Sequence, residues 1–470
     1  MLRTFLPIVL FLAVAVQPRA DAQAAGDLTL DDALRLTLER NPRIAAMREM
    51  HLAATGRRLE AGAWPNPELS FEAENVRFSD GSGSNTTVRD TGGALTERSS
   101  SDVSNSGFGE SELTLGVSQA IELGGKRGRR IALADQAIQV ALWDYEVERA
   151  NAIARTRLAF VDVLTAQENL ALRRRLAQLA EEAASTVGVR VESGKDSPVL
   201  RDRAVIEHAQ ARIELAAAER ALSAARYALV AQWDDREPQF GAVLGDLYQV
   251  DAMPAWDSLQ SKLESSPDIA RWSAEVARRE AGVALERSNR SPDLTVNLGW
   301  RGTALPDSDE RTFDAGGALT SVSSTRPEDS WEHSLVVGVS VPLPLFRRNR
   351  GGIAEAEHLA AQAVHERRAE HTDAWARVSA VHTRLDATRG EIAELRETVM
   401  PAAERSYAAA QAGFEGGKFT YLEVLDSQRT LFGVQGQYLA ACAEYQRGIA
   451  ELERLLGSSS TAATIEGASK

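Results

Sequence analysis

The sequence contains a single cysteine, Cys442, in 470 residues. One cysteine cannot form an intrachain disulfide, and it lies far from the N-terminal segment, where a thiol could carry a lipid. Long apolar runs are also missing. The only one, residues 5–16, would extend about 18 Å as a helix, against roughly 30 Å of bilayer hydrocarbon. A membrane protein built from apolar helices is therefore disfavoured, and the 44% hydrophobic content excludes disorder over most of the chain.

The first 24 residues are typical of a cleaved secretory signal. Arg3 precedes the apolar run, and the small-residue steps Ala20-Asp21-Ala22 and Ala22-Gln23-Ala24 follow it. The net charge of −14 argues against nucleic acid as a partner. An exported chain without disulfides or apolar helices is either a soluble periplasmic protein or one that meets a membrane through β-strands.

The sequence contains one unit twice. Pro67-Glu68-Leu69-Ser70 recurs as Pro292-Asp293-Leu294-Thr295 after 225 residues, and Gly194-Lys195 recurs as Gly417-Lys418 after 223. Matches in the same order at nearly one offset indicate an internal duplication. The predicted organisation is a signal peptide at 1–24, a first repeat at 25–248, a second repeat at 249–457 and a flexible C-terminal tail at 458–470.

Each repeat is predicted to open with short helices and to continue into a pair of strands. Asn41-Pro42 has the form of a helix N-cap followed by the first helical residue, and Ser266-Pro267 repeats it. Leu69, Phe71 and Ala73 alternate with polar residues, the pattern of a strand with one apolar face. Between the strands of each pair, the Ser-, Gly- and Asn-rich residues 79–109 and 303–333 predict long solvated loops.

A long helical hairpin is predicted to follow each strand pair. The Ala-rich residues 129–192 and 352–415 would form helices of about 95 Å. Both end at a glycine turn and lead into a returning helix. In the first of these returning helices Leu215, Leu222 and Leu229 recur every seven residues, which is the spacing of a coiled coil.

Glycine-rich basic segments separate the strands from the long helices. The basic residues are Lys126, Arg127, Arg129 and Arg130 in the first repeat and Arg347, Arg348 and Arg350 in the second. Two interpretations have equal weight: turns at the membrane rim that meet anionic lipid headgroups, or solvated turns with no lipid role. A phosphate-binding loop is disfavoured, because the Walker spacing is absent.

Four strands cannot close a membrane barrel of useful size, since such barrels begin at about eight strands. An open sheet in lipid would leave backbone groups unpaired at its edges. The strands are therefore expected to be pooled between copies of the chain, and three copies would supply twelve strands, about the number that leaves a water-filled interior.

The chain resembles the outer membrane efflux protein family of the TolC type. The resemblance rests on the duplication, on the strand pairs followed by helical hairpins, and on the segment from Gly417 to Gln428, GKFTYLEVLDSQ. The segment from Glu122 to Arg127, ELGGKR, is similar to the cobalt-zinc-cadmium efflux subgroup. The implied fold is α+β: an internally duplicated protomer that gives four strands to a trimeric 12-stranded outer-membrane β-barrel, continued by a long periplasmic α-helical coiled-coil barrel.

The resemblance implies a passive exit duct in the outer membrane of a Gram-negative bacterium, with a large periplasmic part. Its partners would be two further copies of the chain, a periplasmic adaptor, an inner-membrane pump of the RND type and outer-membrane lipid. Heavy-metal cations are the first choice of cargo. A drug-efflux or type I secretion duct is the alternative, and a soluble periplasmic coiled-coil scaffold is the rival from another class.

The same resemblance places candidate gate residues at the two hairpin tips. They are Gly194, Asp196, Asp202 and Arg203 in the first repeat and Gly417, Thr420, Leu422, Glu423, Leu425, Asp426 and Gln428 in the second. The acidic residues are expected either to hold an entrance closed through ion pairs with arginines such as Arg429 or only to complement helix dipoles. The equivalents of Leu425 and Asp426 are Asp202 and Arg203, so the two hairpins are not expected to contribute identically.

No constellation for catalysis is found. A nucleophile elbow, an HExxH sequence and a nucleotide-binding glycine loop are all absent from the sequence. His358 and His365 share a helix face at a seven-residue spacing, whereas zinc ligands on a helix are usually three or four residues apart. The sequence therefore predicts neither an enzyme, nor a cofactor, nor a metal site.

Overall fold

The computed structural model describes residues 26–76, 84–91, 94–101, 111–304, 308–314, 318–325 and 331–457. The predicted signal peptide and C-terminal tail lie outside these residues. The chain divides into two compact units, one formed by Met1–Glu49, Trp143–Arg271 and Ala369–Lys470 and the other by Met50–Leu142 and Trp272–Arg368. In the described part of the chain, no helix is both long enough and apolar enough to cross a membrane.

Helices and strands occur in the same order in both halves of the sequence. The helices are α1 (Leu30–Arg40), α2 (Pro42–Gly62), α3 (Lys126–Glu192), α4 (Pro198–Val230), α5 (Trp256–Glu264), α6 (Pro267–Ser288), α7 (Arg350–Glu394), α8 (Met400–Glu415) and α9 (Tyr421–Leu456). The strands are β1 (Leu28–Thr29), β2 (Glu68–Glu74), β3 (Ser84–Thr91), β4 (Ala94–Ser101), β5 (Glu112–Ile121), β6 (Val243–Leu244), β7 (Leu294–Ala304), β8 (Ser308–Phe313), β9 (Leu319–Thr325) and β10 (Trp331–Ser340).

Helices α2 and α6 begin where the sequence predicts, at Pro42 and Pro267, although the buried hydroxyl of Ser266 has no hydrogen-bond partner among the described residues. The Thr29 hydroxyl accepts a hydrogen bond from the N–H of Asp32 over 3.2 Å and caps α1. The Asn41 side chain accepts from the N–H groups of Arg43 and Ile44 and caps α2. Local hydrogen bonds of this kind depend only on neighbouring residues, so they can be read from sequence.

The first unit has its core between the long helices. Leu229, Leu385 and Tyr445 are almost fully buried, and the Tyr445 hydroxyl donates to the carbonyl of Asp251 over 2.7 Å. Leu222 and Leu229 of the predicted coiled-coil seam belong to this core. Their burial confirms the predicted seam. They lie on one face of α4 because a seven-residue spacing corresponds to about two helical turns.

The second unit contains two antiparallel four-stranded sheets. The first has the order β10-β7-β5-β2, so the two strand pairs of the repeats lie side by side through β5 and β7. The second has the order β3-β4-β8-β9. The prediction of long loops at 79–109 and 303–333 is therefore wrong for the part of these segments that the structure describes, because polar strands can still pair their backbone groups with each other.

Two boundaries of the long helices differ from prediction. Helix α3 starts at Lys126, so the first basic cluster lies in its first turns rather than in a turn before it. The predicted helix at 352–415 consists of α7, a π-helical turn at Leu395–Val399, and α8. The π turn precedes Pro401, which cannot donate an N–H to an α-helical ladder.

Candidate functional site: hairpin tips and a two-faced sheet

Both helical hairpins turn through the same backbone motif. Gly194 after α3 and Gly417 after α8 have φ angles of +73° and +70°. The residue after each glycine donates its N–H to the carbonyl five residues earlier, over 2.9 Å in the first hairpin and 2.8 Å in the second. Glycine adopts this left-handed conformation without a Cβ clash. The two predicted tip glycines therefore end the outgoing helices.

The returning helices begin with different caps. In α4 the Ser197 hydroxyl accepts from the N–H of Val199, and Pro198 is the first helical residue. In α9 the N–H and the hydroxyl of Thr420 both donate to the carboxylate of Glu423, over 2.6 Å and 2.9 Å. These two bonds, the backbone one first, lower the pKa of Glu423. Thr420 and Glu423 thus define where α9 starts.

Four helices meet in a small apolar cluster close to the two turns. Val187 of α3, Ala204 of α4, and Tyr421 and Leu425 of α9 are buried in it. The ring of Phe414, from α8, lies 5.9 Å from that of Tyr421. Burial raises the pKa of the Tyr421 hydroxyl. Leu425, a predicted entrance residue, therefore packs one hairpin against the other.

Arg190 joins the first turn to the second hairpin. Its Nε donates to Asp196 over 2.6 Å, and its guanidinium lies 4.7 Å from the centre of the Phe414 ring. The Asp196 side chain is only 14% exposed, so the ion pair is partly screened from water. Sequence reasoning missed Arg190. The signal that could have found it is its position six residues before Asp196, across the glycine turn.

The other tip charges have partners that differ from those expected. Arg429 of α9 pairs with Glu207 of α4 rather than with an aspartate of the tips. Asp202, Arg203 and Asp426 are exposed, and among the described residues their side chains form no ion pair. Each lies on the outward face of its helix, because the inward faces of α4 and α9 are occupied by the apolar cluster.

Leu422 and Gln428 complete the predicted set and differ in exposure. Leu422 is exposed, whereas Gln428 is buried beside a groove of about 380 Å³. Arg173, Glu207 and Glu214 of the first hairpin and Arg429 of α9 line this groove. Arg173 and Glu214 pair within the first hairpin over 2.6 Å. The groove is therefore a charged seam between the two hairpins.

The basic residues of the first repeat are engaged inside the second unit. Lys126 donates to Asp293 over 2.7 Å, and Arg127 donates to the carbonyl of Gly62 over 2.6 Å. Arg130 pairs with Glu122. Arg129 is exposed. Because cations at a helix N-terminus are disfavoured by the dipole, these partners stabilise the start of α3.

The basic residues of the second repeat have a different environment. Arg347, Arg348 and Arg350 are all exposed, and Arg348 donates to the carbonyl of Pro344 over 3.4 Å. Arg350 is the first residue of α7, and the other two precede it. The two basic segments, which look alike in sequence, therefore differ in the structure.

One face of the sheet β10-β7-β5-β2 is apolar and exposed. Two rows of large apolar side chains cross all four strands: Leu69, Val117, Leu298 and Val337 in one, and Phe71, Leu115, Trp300 and Leu335 in the next. Each of these side chains is between 45% and 74% exposed. A monomeric soluble protein rarely exposes a contiguous apolar area of this kind.

Aromatic side chains gather at the end of this face where the chain enters the polar segments. The Trp300 ring stacks on His333 at 5.2 Å. Gly302 lies between Trp300 and Trp331, and a Cβ there would approach the two rings to 3.1 Å and 3.2 Å. Aromatic belts at the ends of an apolar band are typical of strands that cross a membrane.

The opposite face of the same sheet is polar. Glu74, Glu112, Thr303 and Glu332 lie opposite one another in one row across the four strands. Arg301, two residues before Thr303, pairs with Glu112 over 3.2 Å. Three carboxylates thus face one arginine at this end of the sheet. Within the described residues, no three His, Cys, Asp or Glu side chains lie close enough together to hold a metal ion.

Comparison with known proteins agrees with this architecture. The family model described as "Outer membrane efflux protein" matches residues 33–233 and again 258–458. The chain is 34% identical to the cobalt-zinc-cadmium resistance protein CzcC of Cupriavidus metallidurans, over 94% of this chain and 93% of that protein. It is 27% identical to the nickel and cobalt resistance protein CnrC of the same species, over 83% of this chain and 76% of that protein.

The fold is also that of a solved channel. Crystal structures of CusC, which concern conformational changes that accompany folding and transmembrane channel formation, superpose with a TM-score of 0.68 at 16% identity, over 93% of this chain and 94% of that one. The predicted fold class and the predicted resemblance are both confirmed. The chain therefore belongs to the outer membrane efflux protein family, whose members are outer-membrane channels and not enzymes.

Proposed function

We propose that this chain forms the exit duct of a tripartite efflux system and passes heavy-metal cations through a gate at its hairpin tips. The observation that carries the proposal is the sheet β10-β7-β5-β2, with one exposed apolar face and one polar face. An apolar face of this kind suits lipid, and a polar face suits a water-filled channel.

The edges of this sheet support assembly of three copies. Among the described strands, β2 and β10 each pair on one side and form the two edges of this sheet. Unpaired backbone groups are prohibitive in lipid, so β2 of one copy would pair with β10 of the next. Three copies would close about twelve strands, enough for an aqueous interior. The two repeats, 25–248 and 249–457, would each supply one strand pair and one helical hairpin.

The hairpin tips would form the periplasmic entrance. The candidates are Gly194, Asp196, Asp202, Arg203, Gly417, Thr420, Leu422, Glu423, Leu425, Asp426 and Gln428. Two contacts between the hairpins support this assignment: the partly exposed ion pair of Arg429 with Glu207, and the guanidinium of Arg190 over the Phe414 ring. Such contacts are weak enough to exchange when an adaptor docks. The free energy that drives export of the cargo would come from an inner-membrane pump of the RND type.

Two observations favour cations as the cargo. CzcC is named for resistance to cobalt, zinc and cadmium, and CnrC for resistance to nickel and cobalt. In this chain Glu74, Glu112 and Glu332 form one row on the polar face, and rings of carboxylates are the means by which pores favour cations. A drug-efflux or type I secretion duct is the alternative.

Cell fractionation and reconstitution test the duct itself. We expect the protein in the detergent-soluble outer-membrane fraction, with a native mass of three protomers and measurable conductance in planar bilayers. Recovery as a monomer in the soluble periplasm would instead favour a coiled-coil scaffold.

Metal tolerance tests the cargo. A strain that lacks this chain but keeps its pump and has no redundant duct should lose tolerance to cobalt, zinc or cadmium and regain it on complementation. Unchanged metal tolerance combined with new sensitivity to organic drugs would favour the drug-efflux alternative.

A further inference from the structure

The connection after β10 continues the apolar face of the sheet beyond the last paired residue. The alternation of the strand persists in the sequence, and exposed side chains occupy its apolar positions: Leu335, Val337, Val339, Val341, Leu343 and Leu345. Phe346 follows and is 98% exposed. Pro342 and Pro344 lack the N–H groups that would extend the strand. The protomer therefore presents an apolar segment that nothing in the described chain covers.

Cations lie directly beside this segment. Arg290, Arg347, Arg348 and Arg350 are exposed, and in the part of the chain that the structure describes none of them pairs with a carboxylate. Two concavities of about 530 Å³ and 500 Å³ flank Phe346. Arg290 and Arg347 line the larger one, and the three arginines at 347, 348 and 350 line the other. The surface thus combines an apolar side chain with four positive charges.

The backbone of this segment is held in place. Asn349 has a φ of +50°, a left-handed conformation that asparagine tolerates better than most residues. Its Nδ2 donates to the carbonyl of Glu286 over 2.8 Å and to the carboxylate of the same residue over 2.6 Å. Glu286 is thereby engaged with Asn349, and it anchors the chain between Phe346 and α7.

In the equivalent segment of the first repeat, three of the four basic residues already have partners. There Lys126 donates to Asp293, Arg127 donates to the carbonyl of Gly62, and Arg130 forms an ion pair with Glu122. The N–H donors of these residues are already engaged, so they are less available to bind a ligand. Among the described residues the two segments therefore differ in degree: the first leaves Arg129 exposed and Arg127 over the Trp64 ring, whereas all three arginines of the second are exposed beside Phe346 and form no ion pair.

We propose that Phe346 and the arginines at 290, 347, 348 and 350 bind an anionic phospholipid of the membrane. The ring and Leu343 enter the acyl region, and the guanidinium groups bind the phosphate through paired N–H donors. The segment is continuous with the apolar face of the sheet, which favours a lipid over a free anion as the ligand. A free anion would make no favourable contact with the Phe346 ring. The proposal rests on the proposed function, since the sheet must lie in a bilayer.

A spin label at position 346 tests the placement. Cys442 is fully buried and is the only cysteine, so Phe346→Cys in a Cys442→Ala background gives one labelled site on the full chain. The protein is reconstituted into vesicles of phosphatidylcholine with one third phosphatidylglycerol. We expect the label to collide freely with oxygen and to be shielded from a water-soluble nickel complex. Val337→Cys is the lipid-facing control, and Val189→Cys on α3 is the aqueous control.

The outcomes separate this proposal from the proposed function. If the label at 337 also reports water, the sheet is not in a bilayer and the proposed function fails. If the label at 337 reports lipid but that at 346 reports water, the lipid site is overturned. Shielding of position 346 from both reagents also overturns it and identifies a second copy of the chain as the cover.

Lipid retention tests the headgroup chemistry. Native mass spectrometry of the assembled protein should show a several-fold preference for phosphatidylglycerol over phosphatidylcholine. The Arg347→Gln, Arg348→Gln, Arg350→Gln variant should lose that preference. The matched control neutralises three exposed arginines outside this surface, Arg57→Gln, Arg212→Gln and Arg405→Gln. An equal loss in the control, or a preference that survives in the first variant, overturns the assignment.

Discussion

At the scale of single residues, the tips are held by contacts between amino acids far apart in sequence. Arg190 lies over Phe414, and Arg429 reaches Glu207, which is 222 residues away. The exposed charges Asp202 and Asp426 take no part in these contacts. Within the described residues, the charged side chains that join the two hairpins at the tips are therefore Arg190 and Arg429, and not Asp202 or Asp426.

Glu207→Gln should raise the leak of the closed channel. The Arg429 side chain is 65% exposed, so the ion pair is worth about 0.2–1 kcal/mol and its loss changes the open population by up to about fivefold. Single-channel recording in planar bilayers measures the leak. Glu214→Gln is the control, because its partner Arg173 belongs to the same hairpin. Equal leaks in the two variants would contradict a gate between the hairpins.

The cap of α9 should weaken in acid. The folded pKa of Glu423 is lowered by the Thr420 N–H and hydroxyl, so its contribution is complete above the ordinary glutamate pKa of about 4.3 and is lost as the pH falls through the lower folded value. Hydrogen exchange of the first α9 amides, corrected for intrinsic rates, should accelerate in that range. Glu423→Gln should exchange faster at neutral pH and show no such acceleration. A wild-type profile without acceleration would argue against the cap.

At the scale of elements, α9 packs against α7 at a glycine. A Cβ at Gly448 would lie 2.7 Å from Leu385 Cδ2, and Leu385 is buried in the core, with 1% exposure. Gly390 of α7, in contrast, has no atom within 4 Å of such a Cβ. Glycine therefore allows close helix packing at position 448, whereas at position 390 a side chain would meet no described atom.

Alanine should have opposite effects at these two glycines. Gly448→Ala should lower the free energy of unfolding by about 1–3 kcal/mol through overpacking, and Gly390→Ala should raise it by about 0.5–1 kcal/mol because alanine favours helix. Thermal unfolding followed by helical circular dichroism in detergent compares them. Equal stability of the two variants would show that α9 can shift away from Leu385.

At the scale of the whole molecule, the polar face of the sheet β10-β7-β5-β2 would determine the charge along the proposed duct. On its polar face Glu74, Glu112 and Glu332 share a row, and three copies of the chain would bring nine carboxylates to the same end of the strands. Arg301 neutralises part of this charge in each copy. The proposed duct therefore carries a net negative ring at one end of its strands.

The Glu74→Gln, Glu112→Gln, Glu332→Gln variant should lose cation selectivity. Removing the negative ring should move the cation-to-anion permeability ratio several-fold toward unity. Reversal potentials in a salt gradient measure it. Asp31→Asn with Asp257→Asn, which neutralises exposed carboxylates on α1 and α5, is the control. A ratio that does not differ from wild type would place the selectivity elsewhere.

The sequence predicted the helices, the apolar strands and the turns of this fold more reliably than the contacts between them. The turns at Gly194 and Gly417 and the caps at Asn41 and Thr420 were predictable because each depends on residues within one helical turn. The strands at 84–101 were missed because their side chains are polar and lack the period-two signal. The π turn before Pro401 was missed because an Ala-rich helical pattern runs through it.

The sequence by itself determined the duplication, the apolar strand pairs and the helical hairpins, the turn glycines and the membership of the family, since these follow from local periodicity and short motifs. Only the tertiary structure decided which strands pair and in what register, and hence that three glutamates from distant segments share one row. It also decided that Lys126 and Arg130 have carboxylate partners, whereas Arg347 and Arg350 form no ion pair with any residue that the structure describes. The physical reason is that pairing and burial depend on contacts between residues far apart in the chain, which no local pattern encodes.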